Sequence, residues 1–195
     1  MIIHINGCPG VGKLTVGRLL ADALGARLVD NHSIYNLAFA LAEPKSEAYF
    51  AILREVRATA LKWMLALPGG TPIVLTNAHF TDSTWGNENW DEMIRLARAR
   101  DARLLVVILE CDIAENDRRI ASPDRALRRK LTDPTKFFAA REGRKLIDRG
   151  GDETLRIDTT LLTAEQTGEQ VLQWVRALGA SSSYPEASRS LLERP

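Results

Sequence analysis

Apolar and polar positions along this chain switch between a strand-like and a helix-like period. Ile2 to Asn6 is a short β-rich run closed by Gly7, and Leu14, Val16, Leu19, Leu20, Ala23 and Leu24 then recur at helical spacing until Gly25. The segment predicts strand, loop, helix. Arg27 to Asp30 gives a second short strand, followed by a helical pair over Ile34–Ala42 and Ser46–Leu67 that breaks near Pro44. The turn-forming run Pro68-Gly69-Gly70 precedes a third strand over Pro72–Thr76. After a polar stretch from Asn77 to Asn89, a helix is expected over Trp90–Arg100. The run within Ala102–Cys111 is continuously apolar, as in a strand covered on both faces, and predicts the central strand of a parallel sheet. Helices over Asp112–Ala121, Asp124–Leu131 and Pro134–Asp148, a strand over Thr154–Asp158 and a helix over Ala164–Leu178 complete the pattern.

Strands alternating with helices specify an α/β fold: three αβα layers around a central five-stranded parallel sheet. One domain over residues 1–178 accounts for every element, and the Ser-, Pro- and Ala-rich segment 179–195 reads as a flexible tail. No internal repeat is present. With 26 basic against 25 acidic residues the formal charge is +1, which leaves no global field for nucleic acid or a membrane surface. Cys8 and Cys111 are too few, and too far apart in sequence, for a disulfide framework or a structural zinc site. With so few cysteines a reducing cytoplasm is the expected compartment, and a chain that enters a strand directly after Met1 and has no apolar span of about 18 residues is expected to be soluble and unexported. The protein is expected to be a monomer or homodimer.

The first loop carries the chemistry. Gly7-Cys8-Pro9-Gly10-Val11-Gly12-Lys13 matches GxxxxGK between a strand and a helix. Glycines let backbone N–H groups turn inward around phosphate oxygens, the helix N-terminus favours an anion, and lysine adds a point charge. Leu14 then stands where a hydroxyl usually holds Mg²⁺, and Thr15 brings the hydroxyl one residue later. That step turns the side chain by roughly 100° around the helix. Magnesium would therefore be held by the nucleotide, water and another carboxylate. The cofactor-binding set is Gly7, Cys8, Pro9, Gly10, Val11, Gly12, Lys13, Leu14 and Thr15, with ATP and Mg²⁺ as the cofactors.

The stretch from Gly7 to His32 resembles the opening of the P-loop small-molecule kinases related to shikimate kinase, gluconate kinase and nucleoside monophosphate kinase. The match is close over about the first thirty residues and looser to about residue 178. It implies a P-loop NTPase fold with an arginine-rich lid, and an ATP-dependent phosphotransferase acting on a small-molecule hydroxyl. In those kinases the first acid after the second strand lies near magnesium and the transferred phosphate, which Asp30 matches; it would act as metal contact, directly or through water, or as a base. The alternative is a strand-end aspartate capping the next helix. His32 replaces the second acid of the shikimate kinase DxD pattern. That departure, with the missing triple-glycine loop after the third strand, argues against shikimate as acceptor.

Other candidate acceptor residues are His32, Arg57, Asn77, His79 and Arg141. Arg57 shares a helical face with Arg54, and both have a second reading as solvated partners of nearby carboxylates. Asn77 and His79 follow the third strand, at the edge where doubly wound sheets bind ligands. Arg118 to Lys130 holds Arg118, Arg119, Arg125, Arg128, Arg129 and Lys130 against the single acid Asp124. Guanidinium groups closing over a transferring phosphoryl stabilise its charge and exclude water. The segment at about 116–134 is thus the expected lid, with Arg118 and Arg125 as catalytic residues beside Lys13 and Asp30. A basic solvated helix or a small nucleic-acid patch is the alternative. Two further functions stay open: a non-catalytic nucleotide-binding protein, which would need neither Asp30 nor lid arginines, and a nucleoside, nucleotide or polynucleotide 5′-end kinase.

Overall fold

The computed structural model describes residues 1–121 and 143–181. Five parallel strands form one sheet in the order β2-β3-β1-β4-β5. They are β1 (Ile2–Gly7), β2 (Arg27–Asp30), β3 (Ile73–Asn77), β4 (Leu104–Glu110) and β5 (Glu153–Asp158). The helices are α1 (Lys13–Leu24), α2 (Asn31–Leu41), α3 (Glu47–Ala66), α4 (Thr84–Ala99), α5 (Ile113–Ile120) and α6 (Ala164–Ser181).

Alternation along β1 sorts the two faces of the sheet. Ile3 and Ile5 point to one side and pack with Val16 and Leu20 of α1, Val107 of β4 and Val171 and Val175 of α6. Ile2 points to the other side, where Trp90, Met93 and Leu96 of α4, Met64 of α3 and Val106 and Ile108 of β4 form the second core. Burying a side chain such as Leu20 completely stabilises the fold by roughly 1.5–3 kcal/mol, and Trp90 is likewise fully enclosed. A satellite cluster of Ala38, Tyr49 and Leu53 joins α2 to α3.

Three expectations change. β1 is the central strand, and β4 lies beside it; the unbroken apolar run of β4 reflects cover on both faces, which a second strand can share. The helix expected from Trp90 begins at Thr84, because the Ser83 side chain accepts from the Gly86 N–H and starts it inside the polar stretch. Residues 143–148, expected to end a helix, are instead non-helical, with Leu146 bridging to Phe80 and Leu146 and Ile147 entering the core. The expected helix Asp124–Leu131, the remainder of Pro134–Asp148 and the tail beyond residue 181 lie outside the described residues.

Candidate active site at the carboxyl edge of the sheet

After β1 the chain moves outward to β2, and after β3 it crosses to β4, so the sheet reverses its winding between β1 and β4. Ligands of doubly wound sheets bind at such a switch, outside the carboxyl ends of the strands. The loop Gly7–Gly12 stands there. Gly7 ends β1 so close to β4 that a Cβ would lie 2.5 Å from the Leu109 carbonyl oxygen. Val11, 2% exposed, anchors the loop in the core. Gly10 and Gly12 take φ of +97° and +96°, and Gly12 starts α1 without any side-chain cap. The first amides of α1 are therefore available to an anion. Lys13 Nζ folds back over the loop and donates to the carbonyls of Gly7 at 2.7 Å and Cys8 at 2.8 Å. Leu14 and Thr15 are half-buried in the first turn of α1.

Two asparagines absent from the expected site hold this loop. Asn6 is fully buried; its Oδ1 accepts from the N–H groups of Gly7 and His79, and its Nδ2 donates to the carbonyls of His79 and Ile147. Asn116 of α5 donates from Nδ2 to the Pro9 carbonyl at 2.8 Å. Neither belongs to a recognisable motif.

Asp30 closes β2 opposite Thr76 of β3. One carboxylate oxygen accepts the Thr76 hydroxyl at 2.5 Å, and the other accepts the His32 N–H at 3.3 Å, which caps α2. The capping role thus belongs to Asp30 in the described geometry, and its remaining lone pairs stay at the sheet edge. His32 itself is half-buried on the first turn of α2.

The other expected acceptor residues lie deeper. Asn77 Nδ2 meets His4 Nε2 at 2.9 Å, so it reaches back to β1. His79 is 3% exposed, with both ring nitrogens buried and without a hydrogen-bond partner among the described residues, and packs near His4 and Trp90. Burial holds the His79 imidazole well below its ordinary pKa, and His4, Arg57 and Lys13 add to the effect. Burial pushes His4 down to about 3. His79 therefore stands as a neutral interior group where an edge position was expected, because the chain turns inward after β3 and Asn6 clamps its backbone.

Arg57 is also enclosed, with 8% of its side chain exposed. Its Nε pairs with Glu92 of α4, and a terminal nitrogen donates to the Asn89 carbonyl at 2.8 Å. The partner is a carboxylate of another helix, not a solvated neighbour. Arg54 and Arg57 both approach Trp85, at 5.8 and 5.9 Å from the ring centroid, while the indole N–H donates to the Tyr35 hydroxyl at 2.6 Å. These groups put aromatic surface and positive charge where α2, α3 and α4 meet.

On the other side of the loop, a cleft of about 450 Å³ is lined by Gly10–Gly12, by Glu115, Arg118 and Arg119 of α5, and by the β5–α6 turn. Arg118 is largely exposed and donates to both oxygens of Glu115, at 2.6 and 2.7 Å. Arg118 and Arg119 draw the Glu115 carboxyl down to about 2. Arg119 donates to the Thr159 hydroxyl at 3.0 Å and carbonyl at 2.6 Å, fixing the turn. Arg119 was visible only as one member of the arginine run. Arg125 and Arg141, with Arg128, Arg129 and Lys130, lie outside the described residues.

No group of three or more His, Cys, Asp or Glu side chains among the described residues forms a metal cluster. The Asp30 carboxylate at the sheet edge is of the kind that complements phosphate oxygens and water around Mg²⁺. Among the described residues no helix is long and apolar enough to cross a membrane.

No protein-family model matches the chain. A shikimate kinase of Thermobifida fusca is 30% identical over 182 residues, covering 89% of this chain and 94% of that protein. A cytidylate kinase of Paraburkholderia phymatum is 25% identical over 221 residues, covering 91% and 93%. The crystal structure of a gluconokinase from Sinorhizobium meliloti superposes with a TM-score of 0.58 at 16% identity, covering 93% of this chain and 95% of that one, which is a likeness of fold. With the phosphate loop, the sheet order and the first of these relatives in agreement, the chain belongs to the P-loop small-molecule kinase group that includes the shikimate kinases.

Proposed function

We propose that the protein transfers the γ-phosphoryl group of ATP to a hydroxyl of a small molecule. The observation that carries this reading is the shared carboxyl edge of Lys13, the uncapped N-terminus of α1 and the locked carboxylate of Asp30. The loop amides and Lys13 would hold the β- and γ-phosphates. The cleft between Gly10–Gly12 and the β5–α6 turn is the nucleoside side, with Arg118 on its wall. ATP would bring Mg²⁺, which neutralises developing phosphate charge, and Asp30 is the residue to hold it directly or through water. In the same position Asp30 can instead orient the acceptor hydroxyl.

The acceptor enters from the α2–α3 side, beyond Asp30 and His32, so that donor and acceptor oxygens flank the phosphorus in line. His32 has a half-buried imidazole within one helical turn of Asp30 and contributes a polar contact to the acceptor. Arg57, Asn77 and His79 support that pocket from behind through Glu92, His4 and Asn6. The relatives act as shikimate and cytidylate kinases; His32 and the absent triple glycine favour an acceptor other than shikimate. Arg125 and Arg141 remain the proposed lid and second acceptor arginine on the strength of the sequence.

An ADP-release screen over cyclic polyols, hydroxy acids and nucleoside monophosphates tests the reading. At least one acceptor should stimulate ADP release, and Lys13→Ala should abolish both that stimulation and ATP binding. Unchanged ATP affinity in Lys13→Ala would overturn the site assignment.

A further inference from the structure

One side-chain amide joins three segments of the chain. Asn6, near the end of β1, uses its whole hydrogen-bonding capacity: Oδ1 accepts from the N–H groups of Gly7 at 3.1 Å and His79 at 2.8 Å, and Nδ2 donates to the carbonyls of His79 at 3.0 Å and Ile147 at 2.9 Å. The phosphate loop and the segment after β3 therefore hang on a single oxygen atom. That segment is one half of a short antiparallel ribbon. The Ile147 N–H donates to the His79 carbonyl at 3.0 Å and the Thr81 N–H to the Lys145 carbonyl at 2.9 Å, with Phe80 bridging to Leu146 between them. Arg144 locks the outer end: it donates to both carboxylate oxygens of Asp82, the shortest bond being 2.7 Å, and its guanidinium lies 4.0 Å from the centroid of the Phe80 ring. Asn6 is fully buried, so water does not compete for its four bonds. A buried amide with every bond made rigidifies whatever it joins.

We propose that Asn6 is a positioning residue that couples the phosphate loop to this ribbon, so that nucleotide held by the loop orders the acceptor side of the site. The coupling rests on the nucleotide reading of the loop given above. Two arrangements of Lys13 drive it. In one, Lys13 donates to the carbonyls of Gly7 and Cys8; in the other, a nucleotide draws the lysine to its β- and γ-phosphates and fixes the loop amides on phosphate oxygens. Gly7 senses the change on one side and passes it on from the other, because its carbonyl meets Lys13 and its N–H meets Asn6. A ligand that immobilises Gly7 reduces the motion left to Asn6, and through Asn6 that of His79 and Ile147. The ribbon begins two residues after Asn77, at the end of the strand whose Thr76 holds Asp30. By linkage the effect is reciprocal, and an acceptor that orders the ribbon strengthens nucleotide binding by the same factor.

The test measures amide hydrogen exchange of the full chain with and without Mg²⁺ and the β,γ-imido analogue of ATP. In the parent, the analogue should slow exchange at least about threefold in peptides covering 7–15 and also in those covering 79–82 and 144–147. Asn6→Asp keeps an acceptor for the Gly7 N–H and loses the amide donor to His79 and Ile147. It should bind the analogue less than about tenfold more weakly, retain protection of the loop and lose that of the ribbon. Asn6→Ser, whose side chain is too short to span the segments, should also lose the ribbon's protection. A purely structural amide would lower thermal stability in both variants yet leave nucleotide-dependent protection of the ribbon in place, and that result overturns the proposal. So does a parent whose loop is protected while its ribbon exchanges unchanged, an outcome that needs no variant to fold. A parent without protection at the loop overturns the nucleotide reading and the coupling with it.

Discussion

Asp30 accepts the Thr76 hydroxyl at 2.5 Å, so the ends of two neighbouring strands present one immobilised carboxylate at the edge where the phosphate loop stands. Capping and the proposed chemistry fall on the same side chain, and substitution separates them. Asparagine caps helices about as well as aspartate, so Asp30→Asn should cost about 1 kcal/mol of stability or less. Phosphoryl transfer should nevertheless fall about a hundredfold, and the Mg²⁺ concentration for half-maximal rate should rise. Thermal unfolding and a magnesium titration of ADP release check the two arms. Full activity in Asp30→Asn would leave the residue as a cap alone.

Gly10 is required twice over. A Cβ there would lie 2.7 Å from Asn116 Nδ2 and 2.9 Å from Ile120 Cγ1, and its φ of +97° is unfavourable for any side chain. Gly10→Ala should destabilise the protein by about 1–3 kcal/mol and weaken ATP binding. In an Asn116→Ala background the penalty should shrink without vanishing, because the backbone strain persists. Denaturant unfolding of the four proteins of this cycle gives the coupling directly.

The readability of the sequence followed the range of the interactions. Strand, glycine loop and helix at the start are set by neighbours a few residues apart, so the loop Gly7–Lys13 and the strand end at Asp30 lie on the elements the sequence predicts. The places of His79 and Asn77 were not legible, since one residue of register decides which face of a sheet a side chain enters. The inward turn at His79 is held by Asn6 and the Asn77 side chain reaches His4, each more than seventy residues away. Arg57 was legible as a charged helix position, yet its partner Glu92 belongs to another helix. The start of α4 was hidden because Ser83 and Thr84 look like any other polar loop until the cap is formed.

The Arg57–Glu92 pair bears on stability. Burial holds the Arg57 guanidinium below its ordinary range, and Glu92 opposes that shift. Glu92→Leu leaves an enclosed cation with the Asn89 carbonyl as its remaining described hydrogen-bond acceptor, and should cost on the order of 3 kcal/mol. Arg57→Met/Glu92→Leu removes both charges and should be more stable than Glu92→Leu alone. Chemical denaturation of the single and double variants measures this difference. Equal stability of Glu92→Leu and the parent would show that Arg57 is not held by the ion pair.

The buried histidines give the fold an acid limit. His4 titrates near 3 in the folded chain, and burial depresses His79 as well, whereas both have an ordinary value of 6.5 when unfolded. Above pH 6.5 both states hold these rings neutral, so their contribution is independent of pH. As pH falls below that value, the unfolded chain takes up protons that the folded chain refuses, and stability declines toward the folded values. Each histidine should add a slope on the order of 1 kcal/mol per pH unit in that window. His79→Leu keeps an apolar side chain at this interior position and should reduce the slope by about half, leaving His4 to supply the rest. Unfolding free energies measured from pH 7.5 to pH 4.5 would show this decline, and an unchanged slope in His79→Leu would mean that the imidazole is already charged or solvent-exposed in the folded protein.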